Sequence, residues 1–462
     1  MYQSSWHLFI LTGLGWAADD IWLQGVAVIL PQIQKELHPN RVEYATMAIY
    51  AGLVLGAITW GVLSDLIGRR LSFNITLFIA GVFGIAAGGA NNFTTLASLV
   101  ACLGFGVGGK CWLLTLLSVW WAAGQLFASL ISWPLIGNFS CASSDDCTKA
   151  NNMGWRGGLT LVMWILRYVV FNLQESPKYL VAKGRDEDAI KVLQHIARVN
   201  GKSLSLTLED LQAVAVSHGQ TAITGPVSMS TWQIIKNSFS SFSLSHVKPL
   251  FSTRRLAINT SITIALWGLI GLAYPLFNGF ITLYLTTHVV ASTSVFVTYR
   301  NYVIISVLGV PGSIIACLVV DWTRKDPSKF SIGGRKLTMA VSTTLTGVFL
   351  FLFTTSTKAE DVLAYSCVTS LTHYTQMYGV LYAYTPEVFP APHRGTGDAL
   401  CSAFNRMTGL LAPAIKIVTT PASGGASQAA ANGPIFVSAS LFLFSAILML
   451  LLPIETAGKA AL

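Results

Sequence analysis

Twelve apolar runs of about 20 residues, recurring from one end of the chain to the other, leave few ways to fold. A helix of that length crosses the ~30 Å hydrocarbon core of a bilayer with each backbone N–H and C=O satisfied inside the helix. The runs are Leu8–Leu30, Tyr44–Leu63, Leu71–Gly89, Phe93–Gly109, Trp112–Ile136, Trp155–Leu173, Leu256–Leu285, Tyr302–Val320, Leu337–Thr354, Val362–Tyr384, Ala399–Val418 and Ile435–Leu452. Only 11% of the 462 residues are charged and mean hydropathy is +0.59, so a water-soluble core could not hide so much apolar surface. The expectation is an all-α polytopic membrane protein. The first run is too long, and with Asp19 and Asp20 too charged, for the core of a signal peptide, so it is expected to remain as the first helix.

Charge placement orients the spans. With both termini in the cytoplasm, the even-numbered connections and the tail hold 20 Lys and Arg, whereas the odd-numbered connections hold six, Lys35, Arg41, Lys149, Arg156, Arg300 and Lys358. This asymmetry follows the positive-inside rule. It also accounts for the net charge of +9 without nucleic acid, because the basic residues are spread over short membrane-flanking loops. The partners expected are a small-molecule substrate and the lipid bilayer, with the chain acting as a monomer in the plasma membrane or an internal membrane. On the opposite face, "NFSCASSDDC" places Cys141 and Cys147 in a polar loop where a disulfide can persist, with two free thiols as the alternative. "NFT" at Asn92 and "NFS" at Asn138 are candidate glycosylation acceptors there. The remaining cysteines are scattered and suggest no metal site.

The longest polar interval divides the chain into a six-span bundle over 1–173, a cytoplasmic linker over 174–255 and a second six-span bundle over 256–462. In the linker, Ala189, Ile190, Leu193, Ile196 and Ala197 share one helical face, and Thr207 with Asp210 three residues on predicts a capped second helix. The linker is read as lying on the membrane surface and coupling the halves, the alternative being a separate binding module. After span 2 the chain reads "GVLSDLIGRR"; after span 8, Asp321 and then "GGRK" repeat the same order, pointing to a parallel internal repeat.

Five segments in register with this topology, "GVLSDLIGRR", "ESPKYLVAKGR", "DWTRKDPSKFSIGGRK", "YTPEVFPAPHRGTG" and "LPIETAGKAAL", carry a resemblance over nearly the whole chain. It resembles major facilitator superfamily transporters, closest to the sugar-porter-like and synaptic-vesicle-glycoprotein-like members, fungal ones especially. The resemblance implies 12 helices in two pseudo-symmetric halves and secondary transport by alternating access, without a cofactor and with a proton gradient as energy source. It also implies a cytoplasmic gate. Gly61 and Gly68 would allow close approach and a tight turn, while Asp65, Arg69, Arg70 and Glu175 would latch onto Asp321, Arg335, Lys336, Glu387 and Arg394; ordinary loop charge that sets topology is the plainer alternative.

Charges within the spans cost about 2.5–3.5 kcal/mol each on the insertion scale and are functional candidates by default. Asp19 and Asp20 stand mid-span, and a carboxylic acid in apolar surroundings can take up and release a proton. By resemblance to proton-coupled sugar porters, which carry an Asp six residues before a Gly in span 1, Asp19 with Gly25 is favoured. The alternative is a structural ion pair with Arg167 or Arg406. Trp22, Gln24, Trp267, Tyr274, Asn278, His373, Gln376, Tyr378 and Asn405 are nominated for substrate contact near the midplane, with helix packing as the alternative role of each. The paired glutamines of sugar porters are absent from "ALWGLIGLAYPLFNGF", which counts against a sugar, and the expected cargo stays open among a sugar, a carboxylate or a related polar metabolite, while Pro275 predicts a kinked span 7.

Span 4 departs from the family pattern. Its 17 residues pass through Lys110 and Cys111 almost directly into span 5, Val100 stands where an Arg often does, and Met1 lies just before span 1. A damaged transporter from a shortened coding sequence is one expectation, and a nontransporting receptor or vesicle protein on the same fold is another. An enzyme is not expected. No nucleophile elbow, triad or metal-ligand spacing is present, and "GFGVGGKCW" lacks the Ser or Thr that a P-loop places after its lysine.

Overall fold

A computed structural model describes residues 3–67, 69–108, 118–139, 177–182, 185–199, 201, 206–210, 247–288, 294–320, 334–356, 358–373, 378–390, 393–419 and 428–456. Among them the regular structure is helical. The first half contributes α1 (Gln3–Leu37), α2 (Glu43–Ile67), α3 (Arg69–Gly88), α4 (Phe93–Val107) and α5 (Ser118–Phe139). Two short linker helices follow, α6 (Pro177–Ala182) and α7 (Asp186–Val199). The second half holds α8 (Arg254–Asn278), α9 (Ile281–His288), α10 (Val295–Val320), α11 (Gly334–Thr355), α12 (Ala359–Thr372), α13 (Tyr378–Val388), α14 (Arg394–Gly409), α15 (Leu411–Thr419) and α16 (Gln428–Leu450). Six stretches of the described residues are long and apolar enough to cross a membrane. Span 6, Arg167, Glu175, Asp321, Gln376, Cys141 and Cys147 lie outside the described residues.

The repeat sensed in the sequence is carried by the packing. In the first half α1 packs on α5, α2 on α4, and α3 on α4; in the second, at matching positions, α8 packs on α14, α10 on α12, and α11 on α12. The halves meet through two reciprocal seams, α5 on α10 and α2 on α14 and α15, each joining position 5 of one half to position 2 of the other, and through α1 on α9.

Lipid tails are as apolar as the helices, so small residues that let backbones touch do much of the joining. On α2, Gly52 and Gly56 face the α4 backbone at Ala101 and Phe105, and on α4 Gly104 faces Ile49 while Gly108 faces Leu53. The indole Nε1 of Trp60 closes the pair by donating to the Phe105 carbonyl at 3.0 Å.

Several expected spans are interrupted. Span 7 is divided into α8 and α9, and the break falls at Gly279, four residues beyond Pro275, where the Gly279 N–H bonds back to the Pro275 carbonyl at 3.0 Å. Span 11 breaks at Leu410, next to Pro413, which has no N–H to give the preceding turn. The described part of span 4 is short. The 15 residues of α4 rise about 22 Å against a ~30 Å core.

In the linker, the face of α7 that packs on Leu180 of α6 is formed by Ala189 and Val192, while Ile196, expected on the buried face, is 37% exposed. The short α6 covers only the first turns of α7, which leaves the last turn uncovered. Thr207 and Asp210 form the expected reciprocal cap, Thr207 N–H to Asp210 Oδ2 at 2.9 Å and Asp210 N–H to Thr207 Oγ1 at 3.2 Å. The Thr207 N–H and hydroxyl hold the Asp210 carboxyl below the usual carboxylate range, as the Arg185 and Lys191 side chains hold that of Asp188. Both carboxyls favour the ordered linker when ionised, so that support is present above the ordinary carboxylate pKa near ~3.9 and is lost as pH falls through the lowered folded values. Amide hydrogen exchange at residues 186–190 and 208–210 is expected to speed up when pH is taken below that range, after correction for intrinsic exchange.

Candidate functional site

Adjacent residues on a helix point about 100° apart, and α1 uses this to separate its two acids. Asp20 is fully buried, beside Gly124 of α5, and accepts from Gln24 Nε2 at 3.3 Å. Asp19 turns the other way and lines a cavity of about 150 Å³ between the halves. Arg406 of α14 lines the same cavity, and the Tyr382 hydroxyl stands within electrostatic reach of both charges. Arg406 also donates from Nη1 to the Gly108 carbonyl at 2.8 Å. That carbonyl belongs to the C-terminal turn of α4, where the last C=O groups have no helical donor and a cation is favoured.

Seven aromatic side chains share the wall with aliphatic and small residues, Leu23, Leu53, Val107 and Pro275 among them. Trp16 of α1 meets Tyr382 of α13 edge-on at 5.1 Å between centroids and Trp121 of α5 at 5.8 Å, while Trp267 of α8 meets Tyr382 at 4.7 Å. Tyr50, Tyr274 and Tyr378 complete the ring wall, with Ser402 and Asn405 as further polar groups. Asn405 Nδ2 is engaged with the Trp267 carbonyl at 3.0 Å, and Trp267 Nε1 donates to Thr385 Oγ1 at 2.9 Å.

A hydrogen-bonded plug between the halves closes one end of the cavity. Gln24 donates to the Tyr274 hydroxyl at 2.7 Å and accepts from the Tyr302 hydroxyl at 3.0 Å; Asn278 donates to Tyr274 at 2.9 Å. Beyond it Pro31 provides no N–H to the Ala27 carbonyl one turn back, and that carbonyl instead accepts from Thr282 Oγ1 at 2.5 Å. Tyr299 donates to the Val28 carbonyl at 2.8 Å. Farther out, Lys416 of α15 lies 3% exposed with Nζ 4.1 Å from the Tyr284 ring centroid, and the buried Glu43 at the start of α2 acts electrostatically on both.

Of the nominated substrate residues, Trp267, Tyr274, Tyr378 and Asn405 line the cavity. Gln24 and Asn278 belong to the plug. His373 stands behind it, stacked on Tyr274 at 4.9 Å in a second, water-sized space. Trp22 packs into Gly84 of α3 inside the first half, the alternative role given for it, and is not among the residues that line the cavity. Trp16, Tyr50, Trp121, Tyr382 and Ser402 were not foreseen. The signal for some of them was present, since Trp16, Asp19 and Leu23, like Ser402, Asn405, Arg406 and Gly409, follow helical i, i+3, i+4, i+7 spacing.

Of the second-half members of the expected cytoplasmic gate, Arg335, Glu387 and Lys336 engage groups of their own half. Arg335 is ion-paired with Glu387 and donates to Thr456 Oγ1 at 3.0 Å, and Lys336 donates to the Leu452 carbonyl. Arg394 begins α14. Gly61 and Asp65 lie on the last turns of α2, Arg69 and Arg70 begin α3, and Gly68 lies outside the described residues. Asn92 is exposed and caps α4 through the Thr95 N–H at 2.7 Å; Asn138 is exposed in the last turn of α5 and donates to the Pro134 carbonyl.

Residues 111–461 match the sequence model of the "Sugar (and other) transporter" family. The chain belongs to that family. It is 45% identical to the "MFS siderochrome iron transporter 1" of Ceriporiopsis subvermispora, over all of this chain and 89% of the relative, and 39% identical to "Major facilitator-type transporter hxnZ" of Emericella nidulans, over all of this chain and 86% of that one. The alignment with the first runs over 487 positions against 462 residues here, so that relative has residues with no counterpart in this chain. In structure the chain is similar to the partially occluded, inward-open xylose transporter XylE of E. coli, with a TM-score of 0.68 at 14% identity over 98% of this chain and 99% of XylE. These likenesses establish a membrane transporter with the major facilitator fold.

Proposed function

We propose that this member of the sugar (and other) transporter family moves a small polar organic solute across the membrane by proton-coupled alternating access, with Asp19 as the proton carrier. One observation carries the reading: Asp19, and not its neighbour Asp20, shares the inter-half cavity with Arg406. An ionised Asp19 balances Arg406, and a protonated Asp19 leaves the guanidinium's charge to a ligand. Proton and solute then bind as a unit, and both are exposed to the other side when the halves rock. The plug around Gln24 closes the end that the positive-inside pattern assigns to the exterior, and the cavity lies on its cytoplasmic side. A siderochrome, the cargo named for the 45% identical relative, is many times larger than a cavity of about 150 Å³, which favours a compact solute.

Purified protein in liposomes, given radiolabelled monosaccharides, aliphatic carboxylates and aromatic carboxylates with and without an imposed pH gradient, tests this. Gradient-driven accumulation of at least one solute is expected, with a fall of at least tenfold in Asp19→Asn. Undiminished, gradient-dependent accumulation by that variant overturns the assignment.

A further inference from the structure

A cavity of about 150 Å³ lined by apolar side chains is the size that takes a single benzene ring. Here such a space is walled by indoles and phenols set edge-to-face, Tyr382 against both Trp16 and Trp267, an arrangement that offers a flat π-system both faces and edges to pack on. Besides Asp19 and Arg406, the polar groups are single hydroxyls, those of Tyr50, Tyr274, Tyr378, Tyr382 and Ser402, and the Asn405 amide. The Tyr274 hydroxyl already accepts from Gln24 and Asn278, and the Asn405 amide nitrogen is given to a backbone carbonyl, so a hydroxyl-rich solute finds fewer paired donors and acceptors than a flat ring finds aromatic surfaces. A guanidinium presents a planar fork that matches a carboxylate. An organic cation would find aromatic faces, but also Arg406 at close quarters.

We propose that the substrate is a planar, single-ring aromatic or heteroaromatic carboxylate, its ring held against Trp267 and Tyr382 and its carboxylate on Arg406, admitted when Asp19 is protonated. The inference rests on the transport reading above. In its coupled step one proton passes from solution to the Asp19 carboxylate, and the arriving anion takes over the balancing of Arg406. The net charge of the site is therefore unchanged by loading.

Equilibrium binding to the purified protein in detergent, followed by tryptophan fluorescence or calorimetry, needs no gradient and tests the inference separately from transport. Benzoate is expected to bind at least tenfold more tightly than cyclohexanecarboxylate, benzamide, benzylamine or D-glucose. Between pH 7.5 and 5.5 its affinity is expected to strengthen by up to tenfold per unit, and to become flat in Asp19→Asn. Arg406→Gln should remove the preference for benzoate over benzamide. Because that variant also loses the bond to Gly108, the ligand series on the unmodified protein remains the deciding measurement. Binding of D-glucose or benzylamine as tight as that of benzoate, or equal binding of benzoate and cyclohexanecarboxylate, overturns the proposal. Tight benzoate binding without gradient-driven uptake of any solute would sink the transport reading and leave the site chemistry standing; gradient-driven uptake of a monosaccharide without benzoate binding would do the reverse.

Discussion

Replacing Gly52 with leucine is expected to abolish folding of the first half. At this position any Cβ would overlap the carbonyl of Ala101 on α4, and the obstacle is backbone, which cannot swing aside as a side-chain tip would. Overpacking in a core typically costs about 1–3 kcal/mol, and a rigid obstacle on a helix pair that must touch puts the loss at or above about 3 kcal/mol. The contact is also used repeatedly: Gly56 meets Phe105 and Gly104 meets Ile49 within the next turn, so a displacement at Gly52 pries the whole seam apart. Thermal unfolding in detergent should show a loss of the cooperative transition or a midpoint lowered by many degrees. As a control, Gly395→Ala should change the midpoint little, because a Cβ there meets nothing within 4 Å.

The second large effect is expected from Lys416→Met. Glu43 and Lys416 are respectively 6% and 3% exposed, and they stand on opposite halves. Each also suits its helix, the acid at the N-terminal end of α2 and the base in the last turn of α15. Glu43 acts electrostatically on Lys416, so removing the base takes a favourable charge interaction away from a buried acid, at a cost of about 1–3 kcal/mol. In the proposed transport cycle that cost falls on the state in which the halves are shut at this end, because opening would hydrate Glu43. The equilibrium should therefore move toward the open state by about tenfold or more, at about 1.4 kcal/mol per tenfold. A cysteine introduced at Ala27, probed with a membrane-impermeant maleimide, should react much faster in Lys416→Met. The further change Glu43→Gln should return much of the protection, because no charge is then buried alone. Equal labelling rates in all three backgrounds would show that the pair contributes nothing to closure.

Periodicity and charge asymmetry made the fold legible, because a bilayer-spanning helix must be apolar along its length and its flanks must be sorted by charge. Helix breaks were less so. Pro275 announced irregularity in span 7, but the chain continues helical past it and parts at Gly279, a choice made by which N–H finds a carbonyl after the proline. In the site, Asp19 could be singled out because an intramembrane acid is rare, but its separation from Asp20 depends on the rotation of α1, which is set by Gly124 packing against Ala17 and Asp20. The two roles open to Trp22 could not be separated for the same reason: an indole at a span's middle looks the same in sequence whether it faces the cavity or, as here, the glycine notch at Gly84. The aromatic wall comes from five helices distant in sequence, and only their packing brings Trp16, Tyr50, Trp121, Trp267 and Tyr382 together.

The two reciprocal seams bear on how such a molecule can move. Position 5 rests on position 2 once from each half, and α1 rests on α9 between the same halves. Under the alternating access proposed above, rocking one half on the other would act like a seesaw, the spread gained at one face being taken from the other: the plug, Glu43 and Lys416 would weight one arm, the helix ends at Arg335 and Glu387 would sit on the other, and the cavity would lie near the fulcrum, where a cargo travels least while the access to it is reversed.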